Sequence, residues 1–274
     1  ITGFSLRLPK FNISIDFFNE SGYNIELEVF MKKGIYLLPN MVTMANMFCG
    51  FYAIVAATQS LFTYAAIAIV ISGVMDFFDG KLARMTHSCS RFGMEFDSLA
   101  DLISFGMAPA VLCYLWALKP FGRLGWGAAF LYLICGAMRL ARFNVQAETA
   151  KTSDFIGLPI PAAAILLASE VLLHNRFWDN QIGSSIAVMI SAYILAFLMV
   201  SNIRYWSLKE LHYKKRRPFS LLVASSLYLF VLISEPQLVI FISMLLYTSS
   251  GVYNLTKNRE AEEKTVAPKR VDAA

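Results

Sequence analysis

The sequence has few charged residues for its length. Of its 274 residues, 16% are Asp, Glu, Lys or Arg, whereas an ordinary soluble domain carries about 25%. Hydrophobic residues make up 57%, and the mean hydropathy is +0.55. Apolar runs of roughly 18 residues recur, close to the ~20 residues that cross a hydrocarbon core. This composition argues against a soluble domain and favours one polytopic membrane bundle.

Cysteine and histidine are also scarce, and their spacing argues against two kinds of site. The four cysteines include no CxxC pair, and His87, His174 and His212 share no metal-ligand spacing. Neither disulfide bonds nor a zinc site is therefore expected. The net charge of +5 does not indicate a nucleic-acid partner, because the basic residues flank apolar runs and form no patch interleaved with aromatic residues.

Eight apolar runs are candidate transmembrane helices, so the predicted fold is an all-α polytopic membrane helix bundle. They cover residues 36–57, 62–83, 95–118, 124–143, 157–174, 184–201, 218–234 and 236–253. The last two runs are divided by Ser234, Glu235 and Pro236 alone. Pro236 is nevertheless a reasonable helix start after a tight turn.

Lysine and arginine are unevenly distributed between the loops. Most of the 24 fall on one side of the predicted bundle, and the opposite side receives Lys119, Arg123 and Arg176. Because cytoplasmic loops collect these residues, both termini and the loop after the second span are predicted to be cytoplasmic, in a multi-pass protein of the inner membrane. Two termini on one side require an even number of spans, which favours eight or six over seven.

The chain divides into three predicted segments. Residues 31–255 form the transmembrane domain. Residues 1–30 are an extension without an assigned role, in which alternating stretches such as 11–15 could pair as strands or remain loose. Residues 256–274 alternate charged with small residues, so they are predicted to be a disordered cytoplasmic tail.

Four aspartates stand near the cytoplasmic ends of the second and third spans. Asp76 and Asp79 are three residues apart, and Asp97 and Asp101 are four apart, so each pair projects from one helix face. The short link makes the two helices antiparallel neighbours whose pairs can face each other. Oxygen ligands without His or Cys favour Mg²⁺ or Mn²⁺. Two such ions would suit a diphosphate substrate in an in-line displacement.

Other interpretations of these residues stay open. The aspartates could serve a cation-coupled transporter or pair with Arg84 and Arg91, although an intramembrane charge is by default a functional hypothesis. No internal repeat or broken helix pair supports a transporter. Gly80 and Ala83 flank the carboxylate face and would let a nucleotide base approach the backbone, or they could simply ease helix packing.

The segment Asp76–Asp101 reads D-x2-D-G-x2-A-R-x8-G-x3-D-x3-D. In every fixed position it resembles the signature of the CDP-alcohol phosphotransferase family. The resemblance implies a bundle with a six-helix core, a cytoplasm-facing cavity, two metal ions and a CDP-linked donor. It implies that Asp76, Asp79 and Asp97 are metal ligands and that Asp101 is both a ligand and the general base. The implied CDP-binding residues of the motif are Asp79, Gly80, Ala83 and Arg84. A homodimer is implied by the resemblance alone.

Segments outside this signature resemble the phosphatidylserine synthase branch of the family. They are residues 38–46, 138–144 and 157–163, within a similarity from about Met31 to Tyr253. The resemblance implies transfer of a phosphatidyl group from CDP-diacylglycerol to L-serine, with release of CMP.

Polar residues in these segments are candidates for substrate contacts. Asn40 and Thr43 lie one turn apart and could bind the diphosphate or cytidine, or cap the first helix. Arg139 and Arg142 could bind the serine carboxylate, with a hydrogen bond from Asn144; the arginines could instead anchor the helix to lipid headgroups. Because phosphate also attracts arginine, glycerol 3-phosphate and inositol phosphate stay open as acceptors.

Overall fold

Helices make up nearly all of the chain that can be described. The computed structural model describes residues 22–85, 90–149, 157–177, 186–203, 205 and 218–266. Side-chain surroundings are described for residues 39–82, 85, 90–146, 157–177, 186–203, 205 and 222–251. No strand occurs within these ranges, so the all-α fold class is confirmed for them.

Nine α-helices lie in the described residues. They are α1 (Gly22–Thr58), α2 (Phe62–Met85), α3 (Arg91–Asp101), α4 (Ala108–Cys113), α5 (Arg123–Thr149), α6 (Ile160–Phe177), α7 (Ile186–Val200), α8 (Pro218–Ser234) and α9 (Pro236–Val266). Helices α3 and α4 belong to one helical segment, Arg91–Phe121. Within it, π-helical turns span Leu102–Met107 and Tyr114–Leu118, and a 3₁₀ turn spans Lys119–Phe121.

Several of these helices have the length and composition of membrane spans. Within the described residues, four segments are long and apolar enough to cross a membrane: Pro39–Thr58, Phe62–Leu82, Arg91–Phe121 and Arg123–Gln146. Three shorter apolar helices cover Ile186–Val200, Leu222–Ser234 and Pro236–Gly251. The structure is therefore consistent with the predicted helical membrane bundle.

Small side chains let the helices pack closely. Ala53, Ala56 and Ala57 of α1 and Ala65 and Ala66 of α2 are at most 2% exposed, and these two helices pack along each other. Helix α5 packs against α7, and α6 packs against both α2 and α9. Helices in a membrane associate through van der Waals contact, which alanine-rich faces favour because they bring backbones together.

The bundle has two chemically different ends. At one end, Asn175 near the end of α6 donates to the Thr63 hydroxyl at the start of α2, at 2.8 Å. Arg176 pairs there with Glu235 in the α8–α9 turn, at 3.5 Å. The last turns of α2 and helix α3, which together carry the four aspartates, lie at the opposite end. We call that end the aspartate end.

Both terminal helices extend beyond the spans expected from the sequence. Helix α1 begins at Gly22 and passes through Met31 without a break, so residues 22–30 are helical, whereas their alternation allows strands or loose structure. Residues 1–21 lie outside the described residues. Helix α9 continues to Val266, into the segment predicted to be disordered, and 267–274 lie outside the description. The run 259–264 consists of Arg, Glu, Ala and Lys, which are strong helix formers.

The residues directly before α6 form hydrogen bonds with the end of α7 and the residues after it. The Gly157 N–H donates to the Ile203 carbonyl at 2.8 Å, and the Leu158 N–H donates to the Leu198 carbonyl at 3.1 Å. Gly157 has a φ of +85°, in the left-handed region that side chains disfavour. A Cβ at this position would also collide with the Met199 carbonyl oxygen. Both conformation and space therefore require glycine here.

We expect Gly157→Ala to lower the free energy of unfolding by about 1–3 kcal/mol, the cost of a strained backbone position. The control is Gly127→Ala on α5, where a Cβ would meet the Tyr193 hydroxyl at an ordinary 3.7 Å. This variant should keep or raise stability, because alanine favours a helix by roughly 0.5–1 kcal/mol over glycine. Thermal unfolding in detergent measures both variants, and equal melting temperatures would contradict the expectation.

Candidate active site

Three of the four aspartates converge at the aspartate end. Carboxylate oxygens of Asp76 on α2 and of Asp97 and Asp101 on α3 lie within 4.8 Å of one another. Asp101 is buried, and the other two are half-buried. Like charges at this separation repel strongly unless a cation lies among them or one becomes protonated.

Asp79 lies beside this group and is not part of it. It is 3% exposed, and it is close enough to Asp76, Asp97 and Asp101 to interact electrostatically. Among the described residues, neither oxygen of Asp79 has a hydrogen bond of ordinary geometry, and Oδ1 of Asp97 has none either. A buried carboxylate oxygen without a partner is costly, so these atoms are suited to bind a ligand.

The donor set fits a hard divalent cation. Every ligand atom in the group of three is a carboxylate oxygen, the donor type that Mg²⁺ and Mn²⁺ prefer. The unpartnered oxygens of Asp79 and Asp97 supply further ligand atoms beside the group. The chemistry of these residues therefore matches the cation predicted from the sequence, without distinguishing the two metals.

Asn46 on α1 anchors the Asp101 carboxylate. It is fully buried, and its Nδ2 donates to Asp101 Oδ1 at 3.3 Å. Ser72 on α2 donates to Asn46 Oδ1, and Ser104 donates to the Asn46 backbone carbonyl at 3.0 Å. These bonds fix the amide and, through it, one oxygen of Asp101. Asn46 has no predicted role from the sequence, although an amide inside an apolar run is a signal of a buried polar contact.

The backbone changes its geometry directly after Asp101. The next residues, Leu102–Met107, form a π-helical turn, a feature frequent at functional sites. Gly50 of α1 lies directly against this turn. A Cβ at Gly50 would collide with Ser104, so the contact depends on glycine. The close approach of the two backbones is what lets the Ser104 hydroxyl reach the carbonyl of Asn46.

The candidate CDP-binding residues lie near Asp79 and the start of α3. Thr43 is 5% exposed, and its side chain faces Asp79, as does the Gly80 amide. Asn40 is half-buried, and its Oδ1 lies 3.6 Å from the position that a Cβ of Gly93 would take. The side chains of Ala83 and Arg84 lie outside the described residues.

The two arginines of α5 have different surroundings. Arg142 donates through Nη1 to the Val200 carbonyl at 3.1 Å and through Nη2 to the Met199 carbonyl at 3.3 Å. It therefore satisfies carbonyls at the end of α7, which the helix itself cannot. Arg139 is 7% exposed and is close enough to Asp101 to interact electrostatically. Of the two, Arg139 is thus the one placed beside the aspartates.

Asn144 connects α5 to α3. Its Oδ1 accepts from the Ser98 hydroxyl at 3.1 Å, and its Nδ2 donates to Glu95 Oε2 at 3.3 Å. Both polar atoms of the side chain are thus bonded to the helix that carries Asp97 and Asp101.

The sequence of this chain matches a known family. A sequence model described as CDP-alcohol phosphatidyltransferase matches residues 36–206. This chain belongs to the CDP-alcohol phosphatidyltransferase family. The match confirms the family expected from the signature at residues 76–101, and the matched segment contains the aspartates, Asn46 and Arg139.

Curated proteins related to this family member carry consistent names. The CDP-diacylglycerol–serine O-phosphatidyltransferase of Helicobacter pylori is 37% identical over 218 residues, which cover 80% of this chain and 90% of that protein. The protein of the same name from Bacillus subtilis is 36% identical over 173 residues, covering 63% and 92%. The archaetidylserine synthase of Methanothermobacter thermautotrophicus is 35% identical over 170 residues, covering 61% and 69%.

We expect Asn46→Ala to weaken Mn²⁺ binding by about 10- to 100-fold, the effect typical of removing a hydrogen bond that orients a metal-binding carboxylate. Titration followed by electron paramagnetic resonance measures the affinity in detergent. The control is Thr58→Ala, whose hydroxyl donates to the Val55 carbonyl at the opposite end of α1, and it should bind Mn²⁺ as the wild type does. Wild-type affinity in a folded Asn46→Ala variant would show that this amide does not prepare Asp101 for a cation.

Proposed function

We propose that this chain transfers the phosphatidyl group of CDP-diacylglycerol to L-serine, forming phosphatidylserine and releasing CMP. The observation that carries the proposal is the group of carboxylates from Asp76, Asp97 and Asp101, with oxygens within 4.8 Å of one another, in a chain of this family. Serine as the acceptor is supported by the name of the Helicobacter pylori relative, which aligns with 80% of the chain.

Asp101 is the proposed general base. A serine hydroxyl is a poor nucleophile at neutral pH, and a nearby carboxylate can take its proton during attack. Asn46 holds Oδ1 of Asp101 at 3.3 Å, which leaves the other oxygen to accept that proton. The serine oxygen attacks the phosphorus of the phosphatidyl group, the bond from this phosphorus to the CMP oxygen breaks, and CMP leaves with the bonding electrons.

The aspartates are the proposed ligands of two divalent cations, Mg²⁺ or Mn²⁺. Asp76, Asp79 and Asp97 would hold them, with Asp101 at the edge of the site. When bound, such ions would neutralise the charge of the diphosphate and of the departing CMP. Carboxylates in this role are better ligands than nucleophiles, which favours direct displacement over a covalent enzyme intermediate.

The two substrates are assigned to different sides of the aspartates. The proposed CDP-binding residues are Asn40, Thr43, Asp79, Gly80, Ala83 and Arg84. On the acceptor side, Arg139 is proposed to bind the serine carboxylate directly. Arg142 and Asn144 support this side from their bonds to α7 and α3, so we assign them an indirect part in acceptor binding.

The proposed topology has eight spans, with the aspartate end and both termini in the cytoplasm and the protein in the inner membrane. The distribution of Lys and Arg supports this orientation. The Arg176–Glu235 pair supports placing the end of α6 and the α8–α9 turn together on the side of the membrane opposite the aspartate end. Helices α1–α7 would form the six-span core, with α3 and α4 as one span and α8 and α9 as an added hairpin. A homodimer is proposed on family resemblance alone.

Release of CMP tests the function. Purified protein in detergent is given CDP-diacylglycerol and Mg²⁺ or Mn²⁺, with L-serine, glycerol 3-phosphate, inositol phosphate or no acceptor. We expect serine alone to cause release. Release with a different alcohol would preserve the chemistry and change the acceptor. No release with any acceptor would contradict an enzyme of this kind. The transporter hypothesis would then be tested by measuring cation-coupled flux in liposomes.

We expect Asp101→Asn to lower kcat at least 100-fold, the lower range of what a general base contributes, while CDP-diacylglycerol still binds. The matched control is Glu170→Gln on α6, a half-buried carboxyl, which accepts from the Ser191 hydroxyl at 2.9 Å and lies outside the group of aspartates. Its activity should stay near that of the wild type. Turnover within a few-fold of wild type in Asp101→Asn would remove Asp101 from the role of base.

A further inference from the structure

Arg139 is a buried cation without a bonded partner among the described residues. Its side chain is 7% exposed, and its Nε has no hydrogen bond. It is close enough to Asp101 and Asp76 to interact electrostatically, yet it forms no salt bridge with any described carboxylate. Leaving a buried charge without a partner is strongly unfavourable. Such a guanidinium is therefore suited to an anionic ligand at the aspartate end.

A pair of tyrosines, Tyr205 and Tyr247, adjoins Arg139 through Tyr247. Tyr247 on α9 is close enough to Arg139 to interact electrostatically, and its ring centroid lies 5.8 Å from that of Tyr205. Tyr205 is 4% exposed, and its hydroxyl has no hydrogen-bond partner among the described residues. Gly251, one turn after Tyr247, lets the α9 backbone lie against the Tyr205 ring, with which a Cβ would collide.

Each side chain of this cluster can donate a hydrogen bond: the guanidinium only donates, and a phenol donates and accepts. Burial, with a smaller effect of Tyr247, raises the pKa of Tyr205 to about 12, so its phenol keeps its proton at neutral pH. A guanidinium has donors and no acceptor, and an ionised carboxylate has acceptors and no donor. Charge-assisted bonds between such groups are stronger than bonds between neutral groups. The cluster is thus complementary to a small carboxylate.

We propose that Arg139, Tyr205 and Tyr247 form the subsite that binds the carboxylate of the serine acceptor. This inference rests on the proposed function, because it takes serine as the acceptor. Its new element is α9: Tyr247 lies outside residues 36–206, the segment matched by the family. Helix α9 then contributes to the choice of acceptor, while the shared segment provides the carboxylates for the chemistry.

Removing single hydroxyl groups tests the subsite. Tyr205→Phe and Tyr247→Phe should each raise the KM for L-serine by about 10-fold or more, as expected for one hydrogen bond to a charged group. The KM for CDP-diacylglycerol should stay within about twofold, because the lost bond concerns the acceptor alone. The preference for L-serine over L-serinamide, which lacks the carboxylate, should fall in both variants.

Stability separates binding from a structural role. The Tyr205 hydroxyl has no partner in the described fold, so its removal should leave the melting temperature unchanged or raise it. The control is Tyr193→Phe on α7, whose hydroxyl donates to the Leu124 carbonyl at 3.1 Å. Leu124 lies about 22 Å from Arg139 along α5, at 1.5 Å per residue. Tyr193→Phe should keep the wild-type KM for serine.

Each contrary outcome has a distinct meaning. If the wild-type protein uses serine and both variants keep its KM for serine, the subsite is overturned and the proposed function stands. An equal rise in the KM of both substrates would also overturn it, because the cluster would then serve the donor or the fold. Absence of serine-dependent CMP release by the wild type would refute the proposed function, and this inference with it.

Discussion

Electrostatic repulsion between carboxylates is the constraint on which the rest of this bundle depends. Oxygens of Asp76, Asp97 and Asp101 lie within 4.8 Å at one end of apolar helices, where charge is poorly screened. Holding them there requires helices that cannot separate. The alanine-lined contact of α1 with α2 and the Asn46 bridge from α1 to α3 supply that rigidity, which a preorganised site needs.

The features that the sequence predicted are those set by local periodicity. Aspartates three and four residues apart share a helix face wherever the helix forms, and long apolar runs indicate helices without knowledge of their neighbours. The support for Asp101 is different in kind. Ser72 and Ser104 meet Asn46 from two other segments, so their contact depends on how α1, α2 and the π-helical turn pack. One sequence does not encode that packing in any local pattern.

Arg139 and Arg142 illustrate the same limit. Their spacing puts them on one face of α5 and predicts a shared role. In the structure, Arg142 reaches carbonyls at the end of α7, while Arg139 stays near Asp101. The difference arises from where α7 ends relative to α5, a tertiary relationship that the arginine spacing does not contain. Tyr205 and Tyr247 could not be singled out from the sequence, because tyrosines are common in and beside membrane helices.

The π-helical turn after Asp101 sets how the two parts of the helical segment Arg91–Phe121 are rotated relative to each other. Ala108 and Leu112 follow this turn and are fully buried, on a segment whose earlier residues face the carboxylates of α2. Each residue added to or removed from a helix rotates everything beyond it by about 100°. The wider π-helical geometry of Leu102–Met107 therefore sets the direction in which Ala108 and Leu112 point relative to Asp97 and Asp101. A change of this turn to α-helical geometry without loss of a residue would rotate that buried face away from the core.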